Sequence, residues 1–196
     1  MPKGRLEAFT DGVMAIIITL MVLELREPAG GGLRDLLALW PVLISYVLSF
    51  AYVGIYWNNH HHMFQAVKVV SGRVLWANLH LLFWLSLLPF CAGWIALDGL
   101  ARGPVGLFGF DLLMAAAAYF LLQGGLIRQQ GREGLLARAV GADCKGRVSM
   151  WLYTAGVALA AVGWPKSAFG LLWLPALLWV VPDARIERVL GERERG

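Results

Sequence analysis

Charge is scarce in this sequence. Only 15% of its 196 residues are charged, while 59% are hydrophobic; an ordinary soluble domain has about a quarter charged. That scarcity argues against a soluble module and for a chain whose solvent is lipid. Cysteine is scarcer still. Cys91 falls inside an apolar segment and Cys144 in a charged loop, so no mutual disulfide is expected and no redox compartment follows. No nucleophile elbow and no glycine-rich phosphate loop is present, and Gly30 to Gly32 read as a flexible connector. The formal charge of +4 is no nucleic-acid signal, because the basic residues lie between apolar segments.

What is present is a series of long apolar runs and nine Trp, a residue that gathers at membrane interfaces. Spanning hydrocarbon takes ~20 helical residues at 1.5 Å each. Membrane helices are expected at about 6–25, 36–57, 74–97, 105–127, 148–164 and 167–181. Pro165 and Lys166 separate the last two, which read as a tight helical hairpin ended by Pro182. The expected architecture is therefore an all-α bundle of six transmembrane helices in one domain, 1–185, with a short cytoplasmic tail at 186–196. The N-terminal stretch imitates a signal peptide, but Glu7 and Asp11 interrupt it and no small-residue cleavage site follows Leu25, so it is read as mature sequence.

Loop charge sets the orientation. The N-terminus, the segment around Lys68 and Arg73, the stretch 128–147 and the tail together hold 13 Lys and Arg, against four in the opposite loops. The positive-inside rule places both termini and the richer loops in the cytoplasm.

The first helix is unusual. Its uncharged run, 12–23, is only 12 residues long, and reaching a full span means including Glu7, Asp11 and Glu24. Carboxylates are tolerated there if the helix sits inside a bundle or along a water path. At about 100° per residue, Phe9, Ile16, Leu20 and Leu23 share a narrow stripe with Thr19 at its edge, while Asp11 points elsewhere. Such a stripe is ordinarily a core or lipid contact, and Thr19 can bond its own backbone. Arg5 and Asp11, six residues apart, need partners on other helices.

A second cluster runs from Trp57 through Asn58, Asn59, His60, His61 and His62, with Asn78 and His80 in the next helix. Three consecutive His cannot share one helical face, so no metal site is expected. A hydrogen-bonding cluster at the cytoplasmic edge is the better reading, able to accept Asp11 or Arg5 and sensitive to pH. A membrane-embedded enzyme or small-solute carrier using Asp11, Asp111 and His60 to His62 is the alternative. It lacks the paired halves and broken helices of many carriers.

Arg5-x-x-x-Phe9-Thr10-Asp11, opening a first membrane helix, resembles the R-x-x-x-F-S-D motif of the transmembrane protein 175 family of potassium channels. The segments Tyr56-Trp57-x-x-His60-His61-x-x-Phe64, Leu75-Trp76-x-Asn78-Leu79 and Leu88-Pro89-Phe90 are similar to its bacterial branch. Thr10 departs from the usual Ser but keeps the hydroxyl, and His62 stands where a basic residue is expected. The resemblance implies a cation channel of the bacterial inner membrane, a homotetramer surrounded by lipid and passing potassium ions without a cofactor. It implies that the first helices line the pore, with Ile16 as the narrowest apolar ring, Thr19 as a hydroxyl ring and Leu23 as a further apolar ring. Leu20 shares their stripe. Arg5, Phe9, Thr10 and Asp11 are then structural, tying this helix to Trp57, His60, His61 and Asn78. No TVGYG-like carbonyl filter occurs, so selectivity is expected to be modest.

Overall fold

A computed structural model describes residues 2–25, 27–131, 133–141 and 143–180. The tail at 186–196 and the end of the sixth expected segment at Pro182 lie outside the described residues. Among those described, the chain is helical: α1 (Gly4–Leu23), α2 (Leu33–Ala38), α3 (Trp40–Gln65), α4 (Gly72–Leu85), α5 (Leu88–Asp98), α6 (Arg102–Gln130), α7 (Leu135–Val140), α8 (Cys144–Ala161) and α9 (Pro165–Val180). Among the described residues four spans are long and apolar enough to cross a bilayer: α1, α3, α4 and α5 taken together, and α6; α9 is a shorter apolar helix.

Proline sets several boundaries. The segment expected to start at 36 begins instead at Trp40 with Pro41 in its first turn, after the separate short helix α2. Proline is tolerated there because a first-turn N–H has no helical partner to lose. At its other end α3 runs on to Gln65 rather than stopping near 57. Its 26 residues make a helix of about 39 Å, longer than ~30 Å of hydrocarbon, so the polar Asn and His run is still helical. The expected single helix 74–97 is broken at Ser86 and Leu87 into α4 and α5. Pro89 has no N–H for the Leu85 carbonyl, and its ring crowds that turn.

Turns between helices use glycine where the backbone demands it. Gly163 takes φ 96° between α8 and Pro165, the first residue of α9, a left-handed conformation that costs glycine little. Asp143, at φ 40°, caps α8 through Oδ1, which accepts from the Gly146 N–H at 3.1 Å.

α6 is the central post, packed against α4, α5, α8 and α9. Close approach there relies on small residues, as is common between membrane helices. A Cβ on Gly109 would meet Val157 of α8 at 3.3 Å, and between α8 and α9 one on Gly156 would meet Leu172 at 2.9 Å. Tyr52 of α3 donates its hydroxyl to the Leu172 carbonyl of α9 at 2.5 Å, three residues before Pro175. α1 stands at the edge of the bundle against α3, α4 and α5.

Candidate functional site

α1 has two apolar faces and buries one. Leu6, Thr10, Met14, Ile17 and Met21 are buried against the bundle. Phe9, Ile16, Leu20 and Leu23 remain exposed, Ile16 at 58% and Leu23 at 77%, whereas Ile17 next to Ile16 is 2% exposed. The stripe drawn from helical spacing is therefore the uncovered face of the helix within one subunit. Thr19 lies on the exposed side, and its hydroxyl donates to the Ile16 carbonyl at 2.8 Å. That bond uses the hydroxyl hydrogen and leaves the oxygen's lone pairs as acceptors on an exposed surface.

The covered side of α1 is joined to α3 and α4 by polar contacts. Thr10, fully buried, accepts a hydrogen bond from Asn78 Nδ2 at 2.9 Å. Asn78 Oδ1 lies 2.9 Å from His60 Nε2. An amide oxygen can only accept, so His60 carries that proton on Nε2. The His60 ring also stacks on Phe64 at 4.3 Å between centroids. One residue further round α1, Asp11 Oδ1 accepts from Trp57 Nε1 at 2.9 Å, on an exposed part of the helix. Three helices thus meet through a buried chain, Thr10 to Asn78 to His60, and an outer bond, Asp11 to Trp57.

Three of the expected motif residues fall outside these bonds. Arg5 and Phe9 lie on the same side of α1 as Ile16, since residues about 100° apart per step bring positions 5, 9 and 16 together. Both are exposed and border an open groove against Leu75 and Leu79. Asn78 lines the same groove, so Arg5 borders the outer edge of the hydrogen-bonded junction. His61 faces outward, stacking on Trp57 with centroids 5.9 Å apart and lying 2.8 Å from Gln65 Nε2. Asp111, on α6, makes no hydrogen bond to the His run, and its oxygens meet no partner among the described residues. No group of three His, Cys, Asp or Glu that could hold a metal ion occurs among the described residues.

The structure also brings in residues that spacing did not single out. Lys3 donates to the Phe64 carbonyl at 2.7 Å and pairs with Glu7 at 3.2 Å. Gln129 joins the Val69 carbonyl and the Ser71 N–H, and Gln130 donates to the Ala66 carbonyl at 2.6 Å. These bonds gather the start of α1, the α3–α4 turn and the end of α6 on one side of the bundle. The only hint in the sequence was two adjacent glutamines closing an apolar helix.

Comparison with known proteins matches the same residues. A family model described as endosomal/lysosomal potassium channel TMEM175 covers residues 5–89, from Arg5 to Pro89. Across 98% of its length the chain is 50% identical to a potassium channel of Chryseobacterium sp. (strain P1-3), covering 100% of that protein. Human TMEM175, named an endosomal/lysosomal proton channel, is 37% identical over 78 residues, 34% of this chain and 16% of that protein. The crystal structure of a lysosomal potassium-selective channel TMEM175 homolog from Chamaesiphon minutus superposes with a TM-score of 0.77 at 26% identity, covering 92% of this chain and 97% of the other. With half its residues identical to a relative that it matches from end to end, and with the motif segments inside the family model, this chain belongs to the TMEM175 family.

Proposed function

We propose that this chain is one subunit of a homotetrameric, potassium-permeable cation channel of the bacterial inner membrane, with its pore lined by α1 of every copy. The observation that carries this reading is the uncovered face of α1, where Phe9, Ile16, Leu20 and Leu23 stand exposed while the opposite face is buried. One helix cannot enclose a path, so symmetry must supply the others. Potassium as the permeant ion follows the names of the relatives.

In this reading α1, α3, the α4–α5 pair, α6, α8 and α9 make six crossings of one channel domain, 1–185. Both termini lie in the cytoplasm, and 186–196 form a short tail. The side gathered by Lys3, Gln129 and Gln130 carries the basic residues Lys68, Arg73 and Arg128, which the positive-inside rule assigns to the cytoplasm. Four Ile16 side chains form the narrowest ring. They offer no ligands, so an ion passes only when water enters the ring or the ion sheds part of its shell, and a tightened ring dewets and closes. Potassium sheds water more readily than sodium, which a narrow ring converts into a modest preference. Thr19 oxygens one turn along supply partial ligation, with Leu20 and Leu23 continuing the apolar path. Thr10, Asp11, Trp57, His60 and Asn78 hold α1 in place. Apart from the permeating ion no cofactor is required, and the partners are the sister subunits and membrane lipid.

The test is potassium flux into liposomes holding purified protein, together with its oligomeric state in lipid. A tetramer that conducts potassium better than sodium is expected. A monomer, or liposomes no leakier than empty ones, would refute the reading. An enzyme is excluded by membership of a channel family. The carrier reading is weakened because Asp111 is not joined to Asp11 or the His run.

A further inference from the structure

α6 holds a carboxylate inside its apolar span. Asp111 stands nine residues beyond Arg102, where α6 starts. That is about 14 Å along the axis, and about 9 Å past Val105, where the expected membrane span begins, so Asp111 lies within the hydrocarbon. The side chain is 1% exposed, its neighbours along the helix Phe108, Leu112 and Ala115 are fully buried, and neither carboxyl oxygen has a hydrogen-bond partner among the described residues.

Among the described residues no ion pair reaches Asp111 either. The basic residues of the helices packed on α6, and of α6 itself, lie in terminal turns: Arg73 of α4, Arg102 and Arg128 of α6, Lys145 and Arg147 of α8, Lys166 of α9. Arg138 belongs to the short α7, beyond the end of α6. Of the other titratable groups on these helices, Tyr56, Cys91, Tyr153 and Asp98 are acids and bear no positive charge in any state. Tyr56 of α3 and Cys91 of α5 are within its electrostatic reach. His80 of α4 accepts from Trp84 Nε1 at 2.9 Å, Tyr153 of α8 abuts Tyr52, and Asp98 closes α5 as an acceptor for Trp94.

An ionised carboxylate with neither hydrogen bonds nor a partner is costly to hold in a low-dielectric interior, and an intramembrane acid of this kind is a functional site by default. Hard metal cations want several oxygen ligands, and among the described residues no second Asp or Glu joins Asp111 in a group that could hold one. A proton needs only one. We propose that Asp111 is a proton-binding site of the subunit, separate from the exposed face of α1, filled while the bundle is packed and emptied when water reaches the α5–α6 contact. α5 also packs on α1, where Glu24 lies against Gly93, so loss of the proton loosens a contact of that helix. Neither the pore nor the tetramer enters this inference.

Infrared spectroscopy of the full chain in lipid at neutral pH tests it. The expected result is a protonated-carboxyl C=O band that shifts in D2O and is lost in Asp111→Asn, with wild-type thermal stability falling relative to that variant as pH is raised. Absence of the band in wild type, or its survival in Asp111→Asn, overturns the proposal. So do stability curves that stay parallel at every pH. If Asp111→Asn does not assemble, Asp111→Glu must move the band, and an unmoved band overturns the proposal equally.

Discussion

Thr10→Val replaces one hydroxyl with a methyl at the junction of α1 with α3 and α4 and keeps the shape. Thr10 is fully buried, and its hydroxyl oxygen is the acceptor for Asn78 Nδ2 at 2.9 Å. Valine leaves that amide hydrogen facing a methyl group. Asn78 is 1% exposed, so little water reaches that donor. A hydrogen bond between membrane helices averages about 0.6 kcal/mol because the unfolded chain also finds partners. A buried donor left unpaired costs ~1–3 kcal/mol. Burial decides in favour of the second figure, so a loss of about 1–2 kcal/mol is expected. Thr10→Ser keeps the acceptor and should lose less than half of that. The outer bond, from Trp57 to Asp11, is exposed, and Trp57→Phe should cost less than Thr10→Val. Equilibrium unfolding of purified protein in mixed micelles, with the tetramer followed by size, reads all three. If Thr10→Val matches wild type, or if Thr10→Ser is as damaging as Thr10→Val, the buried chain through Asn78 does not hold α1 and the reasoning fails.

Ile16→Asn is expected to raise cation flux in liposomes and erase the preference for potassium over sodium, because four amides keep the ring wet. Ile17→Asn, buried where Ile16 is exposed, should lower yield and stability without opening a path, and the reverse pattern would mean α1 is rotated by about 100°. Thr19→Val should change the potassium-to-sodium flux ratio with little effect on unfolding, since the bond lost runs only to Ile16 of the same helix. Gly146→Ala places a Cβ 2.6 Å from both Asp143 Oδ2 and Phe120. It should displace the cap of α8 at a cost of about 1 kcal/mol or more, visible as a lower midpoint in thermal unfolding.

Hydropathy alone located the long apolar segments, because a run of ~20 uncharged residues has few homes other than a bilayer. Helical spacing alone also put Phe9, Ile16, Leu20 and Leu23 on one stripe with Asp11 off it. The motif residues around Arg5, Trp57, His60 and Asn78 were enough to suggest the family. What spacing could not decide was which apolar face of α1 is covered. Met14, Ile17 and Met21 are as apolar as Ile16, Leu20 and Leu23, and in lipid no polarity contrast separates inside from outside. Packing on α3, α4 and α5 made that choice. The partner of Thr10 lies 68 residues away, and such a pairing exists only once α4 lies beside α1. The same packing left Arg5 and Phe9 on the open side, bordering a groove that Asn78 also lines. The short helices α2 and α7, of six residues each, are under two turns and show too little periodicity to be read. Pro89 was visible in the sequence, but whether it bends a helix or divides it depends on how the freed carbonyl and the neighbouring turns pack. For Asp111 the sequence supplied a carboxylate in an apolar run, and only the tertiary structure decided that no partner meets it among the described residues, where the cations on the helices packed around it lie at helix ends.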